Sequence, residues 1–142
     1  LLEARGVEVT YGGGRSLLLT GDGRSQDVIA GLEAVGKLPL GGTCKVDIMK
    51  VPHHASSRNV VGELFDRVWA STYVLSANGL HGNPDWQSLV WLVDAASRQN
   101  RDIHIFATNW TPSLRKLIAE RPPESNHYRL EVLPVGKRSA VL

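Results

Sequence analysis

Two adjacent histidines, His53 and His54, are the residues of this chain best suited to chemistry. They follow a short apolar run from Lys45 to Val51, and two small hydroxyl residues, Ser56 and Ser57, come shortly after them. Imidazole is the commonest neutral metal ligand, and it titrates near physiological pH. A strand end is a rigid place to present such a side chain. The pair therefore predicts part of a metal site, or a group that transfers protons.

A second polar turn, Thr20-Gly21-Asp22-Gly23, lies upstream of the histidines. The Asp22 carboxylate stands between two glycines and can approach a ligand closely, although a plain turn with Asp as its hydrogen-bonding residue is the alternative. A carboxylate and an imidazole together suit zinc, manganese or iron. Two such ions activate a bound water. Because two or three ligands do not complete a dinuclear site, we expect this chain to carry half of one.

Further polar residues follow the next predicted strands. The loop after Leu75 contains Asn78, His81 and Asn83, and the loop after Ala107 begins with Thr108 and Asn109. In layered α/β proteins the functional groups gather beyond the carboxyl ends of parallel strands. If the strands are parallel, these loops meet the turns that carry Asp22 and His53-His54.

Hydrophobic periodicity predicts the elements that must position these loops. The predicted strands are Val7–Tyr11, Ser16–Thr20, Lys45–Val51, Thr72–Leu75, Ile103–Ala107, Tyr128–Val135 and a last edge strand at Ala140–Leu142. Four helices are predicted, and the predicted caps of the first three are Ser25, Asn59 and Asn83, with Pro84 in the first turn of the third. Thr111-Pro112 opens the fourth helix, and the apolar face of the second includes Val68. Strand–helix alternation predicts one layered α/β domain over residues 1–142.

Composition narrows the classes of function. The chain has 142 residues, 42% of them hydrophobic and 21% charged, with a formal net charge of +2. The basic residues are scattered, which gives little support for a nucleic-acid-binding surface. A single cysteine, Cys44, excludes an internal disulfide and a zinc site built from several thiolates. No apolar run is long enough for a membrane span, so we expect no membrane contact and a cytoplasmic location.

Several of these motifs together resemble a known family. The segments Leu17 to Asp22, Asp47 to Ser57, Val74 to Ser76 and Gly82 to Asp85 look like the C-terminal half of a metallo-β-lactamase-fold hydrolase. The nearest branch is the hydrolase domain of bacterial DNA-uptake (competence) channel proteins, which reads LLTGD, then LKVPHHGS, then an S…GHP loop. The resemblance implies the C-terminal half of an αββα sandwich, a mixed sheet with helices packed on it.

The resemblance also implies roles for individual residues. Asp22 matches the carboxylate that bridges two divalent ions in the family. The expected ions are zinc, and manganese and iron are the alternatives. His54 is taken as the metal histidine and His53 as a proton carrier, although the two roles are open to exchange. His81 is the candidate for protonating the leaving group. Three further residues are candidates for substrate binding: Ser56, Asn78 and Asn83.

The chain departs from the family pattern in three ways, and the remaining expectations follow from these departures. The HxHxDH motif is absent, Ala55 replaces the usual Gly, and Asn83 stands at the His of the GHP loop, where His81 is a substitute two residues earlier. The chain does not begin with Met, so we expect part of a longer enzyme that is inactive by itself. Two divalent ions are expected in the longer enzyme, and a fragment that binds none is the alternative. A natural half that associates with another chain, or a remnant without catalysis, are the alternatives.

The expected partners are the missing N-terminal half or a second copy of the chain, because a half-sandwich exposes an apolar sheet face. The expected activity is hydrolysis of an ester-type bond, and only the resemblance suggests a phosphodiester or nucleic acid. The alternative is a non-catalytic α/β structural or interaction domain without metal. In that case Asp22, His53 and His54 cap strands and satisfy loop backbones.

Overall fold

The computed structural model describes residues 7–11 and 14–139, and in this range six strands form one sheet. The strands are β1 (Val7–Tyr11), β2 (Arg15–Leu19), β3 (Cys44–Lys50), β4 (Val68–Leu75), β5 (Ile103–Ala107) and β6 (Tyr128–Val132). They lie in the order of the sequence. The first pair is antiparallel and every later pair is parallel. The sheet is therefore mixed.

Helices connect the parallel strands. They are α1 (Ser25–Ala34), α2 (Gly62–Arg67), α3 (Trp86–Arg98) and α4 (Pro112–Glu120), with short 3₁₀ turns at Pro52–Ala55 and Pro123–Ser125. Each helix links one parallel strand to its neighbour, which confirms the predicted α/β class. None of the helices in the described ranges has both the length and the apolar character needed to cross a bilayer.

All four helices lie on one face of the sheet. Crossovers between parallel strands are right-handed almost without exception, and here every crossover moves in the same direction along the sheet. In agreement, α1 contacts α2, α2 contacts α3, and α3 contacts α4. The core lies between this helix layer and the sheet, where Met49, Tyr73 and Ile105 occupy one row of paired positions and are fully buried.

The opposite face of the sheet, called the open face below, carries no helix in the described part of the chain. Side chains at paired positions point to the same side of a sheet, and successive residues alternate. Two rows therefore lie on the open face: Leu17, Ile48, Thr72, His104 and Arg129, and then Leu19, Lys50, Val74, Phe106 and Glu131. Leu19 is 40% exposed there.

Three predicted helix caps are wrong. Ser25 lies inside the first turn of α1, and its buried hydroxyl accepts from the Val61 N–H at 3.1 Å instead of capping. The helix expected from Asn59 begins only at Gly62. Asn83 and Pro84 precede α3, which starts at Trp86. For Ser25, a tertiary contact uses the polar group that the local pattern assigned to a cap.

Of three other local predictions, one is confirmed, one is wrong and one lies outside the described residues. Thr111 caps α4 as predicted, because its hydroxyl accepts from the Leu114 N–H at 3.3 Å. Val68, expected on the second helix, is the first residue of β4, since α2 ends at Arg67. The last predicted strand, Ala140–Leu142, lies outside the described residues.

Candidate functional site

The polar loops follow strands that run in the same direction. Because β2, β3, β4 and β5 are parallel, the loops that follow them leave from the same edge of the sheet. These loops hold Asp22, the histidine pair, the segment from Ser76 to Asp85, and the Thr108-Asn109 pair. The parallel arrangement that the sequence analysis assumed is present in the structure.

The histidine turn has an unusual backbone. His53, His54 and Ala55 all have positive φ, of 43°, 56° and 61°. Left-handed backbone at a residue other than glycine costs about 1–3 kcal/mol and persists only where the surroundings hold it. Three consecutive residues of this kind present the two imidazoles at nearly perpendicular angles, with ring centroids 6.2 Å apart.

Hydrogen bonds to the Gly21 backbone and to the backbone and side chain of Asp85 hold this turn. The His53 N–H donates to the Gly21 carbonyl at 3.0 Å, and the Asp85 N–H donates to the Ala55 carbonyl at 3.0 Å. The Asp85 carboxylate accepts from the backbone N–H of Ser57 at 2.7 Å and from its hydroxyl at 2.8 Å. Asp85 is thus a supporting residue that the sequence analysis did not assign.

His54 is oriented by a backbone carbonyl. Its Nδ1 atom forms a hydrogen bond with the carbonyl oxygen of Ser76, the first residue after β4. A carbonyl oxygen only accepts, so Nδ1 carries the proton of this bond. The neutral ring then has its lone pair on Nε2, the atom available to a metal ion or a proton. No residue type at position 76 signals this contact.

His54 opens onto a cleft of about 380 Å³. The cleft is lined by His54, Ser76, Ala77, Asn78, Leu80, His81, Asn83, Thr108 and Asn109. Four of the residues proposed from the sequence therefore come together: His54, Asn78, His81 and Asn83. Thr108, which exchanges hydrogen bonds with both backbone groups of Ala77, ties the loop after β4 to the loop after β5.

Asp22 and His53 lie at the adjoining turn. Asp22 is exposed. The Nδ1 atom of His53 is buried and has no hydrogen-bond partner among the described residues. An imidazole nitrogen in this state is costly unless a ligand or a water satisfies it. The arrangement leaves His53 available for the proton-carrying role proposed from the sequence.

Lys50 also lies near Asp22, although the sequence analysis did not predict it as a site residue. Burial lowers the pKa of its ammonium group, while the negative charge of Asp22 acts in the opposite direction. Its Nζ donates to the Val51 carbonyl at 3.1 Å. The buried hydroxyl of Thr20 donates to the Lys50 carbonyl at 2.6 Å, which fixes the turn of Asp22 against β3.

Ser56 has a different environment from the other proposed site residues. It is buried, and its N–H donates to the His53 carbonyl at 3.0 Å. Its own carbonyl accepts from the N–H groups of Asn59 and Val60. Ser56 does not line the cleft beside His54. The structure thus places Ser56 in the backbone support of the histidine turn.

Within residues 7–11 and 14–139, no three side chains of the His, Cys, Asp or Glu type are grouped so that they could hold a metal ion. His54 nevertheless has the tautomer and the exposure that a metal ligand needs. In comparisons with known proteins, the chain matches no family model, no curated protein and no solved structure. The assignment of a function therefore depends on the residues and their geometry.

Proposed function

We propose that this chain supplies half of the metal site of a metal-dependent hydrolase of the metallo-β-lactamase type, with Asp22 and His54 as ligands. The observation that carries the proposal is the hydrogen bond from His54 Nδ1 to the Ser76 carbonyl. A metal-binding histidine almost always donates its other ring N–H to a carbonyl or a carboxylate, which fixes the tautomer and raises the basicity of the ligating nitrogen.

The positions of the neighbouring residues support this assignment. The turn of Asp22 is bonded to the histidine turn through Gly21 and His53. The Lys50 ammonium group interacts electrostatically with Asp22, so the Asp22 turn lies beside the end of β3. Asp22 and His54 thus belong to two turns that a backbone hydrogen bond holds together.

Bound divalent ions would supply a hydroxide near neutral pH. Zinc is the proposed ion, and manganese and iron are the alternatives. The chain's own groups have the remaining roles. His81 lines the same cleft as His54 and would give a proton to the leaving group. The buried, unpartnered Nδ1 of His53 is the second candidate for moving a proton. The proposed reaction is hydrolysis of an ester-type bond, a phosphodiester by resemblance alone.

The site needs further ligands, and the open face indicates their source. Leu17, Leu19, Ile48, Val74 and Phe106 form the apolar part of this face. We propose that a second β-sheet with an apolar inner face packs there, as in an αββα sandwich, and brings the missing ligands to the loop edge. A complementary N-terminal half-sandwich is the proposed occupant, and a second copy of this chain is expected to pack there when that half is absent.

Zinc titration by calorimetry tests the proposal. The chain is compared with Asp22→Ala and His54→Ala variants, and with a His127→Ala control, whose imidazole pairs with Asp102 at the amino end of β6. We expect each site variant to weaken zinc binding by about tenfold or more, and the control to leave it unchanged. Equal affinity in all four proteins, or no binding by the parent chain, would contradict the proposal and favour the non-catalytic alternative.

A further inference from the structure

The cleft beside His54 presents a fixed pattern of hydrogen-bond donors and acceptors. We propose that it binds an uncharged amide group, the N–H and C=O of a peptide or an N-acyl amide, as the part of the substrate next to the bond that is cleaved. This inference rests on the proposed function, because it takes the cleft to be the substrate side of the His54 site.

Asn78 supplies the donor. Its side-chain oxygen accepts from the N–H of Leu80 at 3.1 Å. A backbone N–H only donates, so this bond identifies the oxygen and leaves the side-chain NH₂ on the other side of the amide. That NH₂ group has no hydrogen-bond partner in the described part of the chain, and Asn78 lines the cleft. It is therefore available to a carbonyl oxygen of a ligand.

Asn109 supplies the acceptor. Its side-chain nitrogen donates to the Ala77 carbonyl at 2.9 Å and to the Thr108 hydroxyl at 3.0 Å. Both amide hydrogens are used, so the orientation of this side chain is fixed as well. Its oxygen makes no hydrogen bond to any residue that the structure describes and is available to an N–H of a ligand. The two asparagines thus offer one donor and one acceptor.

Apart from the imidazoles of His54 and His81, the described lining of the cleft has no side chain that could carry a positive charge to an anionic group. No Lys, Arg, Asp or Glu appears among its described lining residues. Sites for phosphates use Arg, Lys or clustered backbone N–H groups, because a desolvated anion needs charge-assisted hydrogen bonds. One wall is instead apolar, with Leu80 78% exposed beside Ala77. An amide group, with one donor, one acceptor and no net charge, matches this lining.

The test follows the backbone and side-chain amide resonances of the chain by ¹H–¹⁵N NMR, without metal. N-acetylglycine N-methylamide, an uncharged diamide, is titrated in one sample and inorganic phosphate in another. We expect the diamide to shift the side-chain signals of Asn78 and Asn109, and phosphate to leave them in place. No shift with the diamide, or equal shifts with phosphate, would overturn the inference.

A matched pair of variants sharpens this test. Asn78→Asp keeps an oxygen for the Leu80 N–H but removes the donor, so we expect at least about fivefold weaker diamide binding. Asn126→Asp makes the same change near the amino end of β6, where the side chain donates to Pro122, and should bind like the parent chain. Equal weakening in both variants would also overturn the inference. Because no metal is present, failure here is distinct from failure of zinc to bind Asp22 and His54.

Discussion

His53 donates its backbone N–H to the carbonyl oxygen of Gly21 at 3.0 Å, and this bond joins the two turns that carry the proposed metal ligands Asp22 and His54. The bond is formed by a residue in the left-handed conformation. An ordinary extended or helical backbone at His53 would direct the N–H and the ring elsewhere. The strained turn thus places the histidine pair relative to Asp22 through its backbone.

The buried hydroxyl of Tyr73 should be important for stability. It accepts from the Ala70 N–H at 3.0 Å and donates to the Val68 carbonyl at 3.4 Å, inside β4. Tyr73→Phe removes both of these hydrogen bonds to buried backbone groups, which should lower the free energy of unfolding by about 1–3 kcal/mol. Urea denaturation measures the loss, with Tyr128→Phe as the control that loses only one such bond. A Tyr73→Phe variant as stable as the parent chain would contradict this.

His104 should make stability depend on pH. Its Nδ1 accepts from Arg129 at 3.2 Å, and its Nε2 lies 3.2 Å from the carboxylate of Glu131. Burial lowers its pKa below the ordinary 6.5, and Arg129 adds to the effect while Glu131 opposes it. The unfolded chain then binds this proton more readily than the folded chain. The contribution of His104 to stability is complete above pH 6.5 and is lost as the pH falls toward the lowered value.

The measurement is the free energy of unfolding between pH 7.5 and pH 5, for the parent chain and for His104→Gln. We expect the parent to lose more stability than the variant across this range, because glutamine does not titrate. His127, which pairs with exposed Asp102, provides the control variant His127→Gln. Identical pH profiles for the parent chain and His104→Gln would show that His104 is not the group responsible.

The open face should mediate association. Leu19 is 40% exposed, and its paired neighbour on this face is Lys50. Leu19→Lys places a second cation beside Lys50, so it should weaken any packing of a sheet on this face. In sedimentation velocity at high protein concentration we expect the parent chain to associate and the variant to be monomeric. Leu40→Lys, in the loop before β3, is the control that should still associate. A parent chain that stays monomeric would count against an apolar docking face.

Much of the fold was predictable because its signals are periodic. Short apolar segments located the strands near Ser16–Thr20 and Ile103–Ala107, and the Thr111-Pro112 pair located the start of α4. The helix caps at Ser25 and Asn59 failed because a cap signal is local. The Ser25 hydroxyl and the Asn59 carbonyl both form long-range bonds that join α1 to the segment before α2.

The sequence could predict which loops form the candidate site. It could not predict the contacts that orient the side chains within it. Polar residue types marked His54, Asn78, His81 and Asn83, and the structure brings them to one cleft. The Ser76 carbonyl that orients His54 is a backbone group, which every residue has, so no pattern could reveal it. The role of Lys50 was hidden for a related reason, since its environment arises from the neighbouring strands β2 and β4.

The most direct test of the central claim is the tautomer of His54 and its response to zinc. Long-range ¹H–¹⁵N NMR at neutral pH should show the proton on Nδ1, and zinc should shift the Nε2 resonance while leaving that of Nδ1 largely in place. The same shift should be absent in Asp22→Ala at equal zinc concentration. A proton on Nε2, or a ring that zinc does not perturb, would contradict the account.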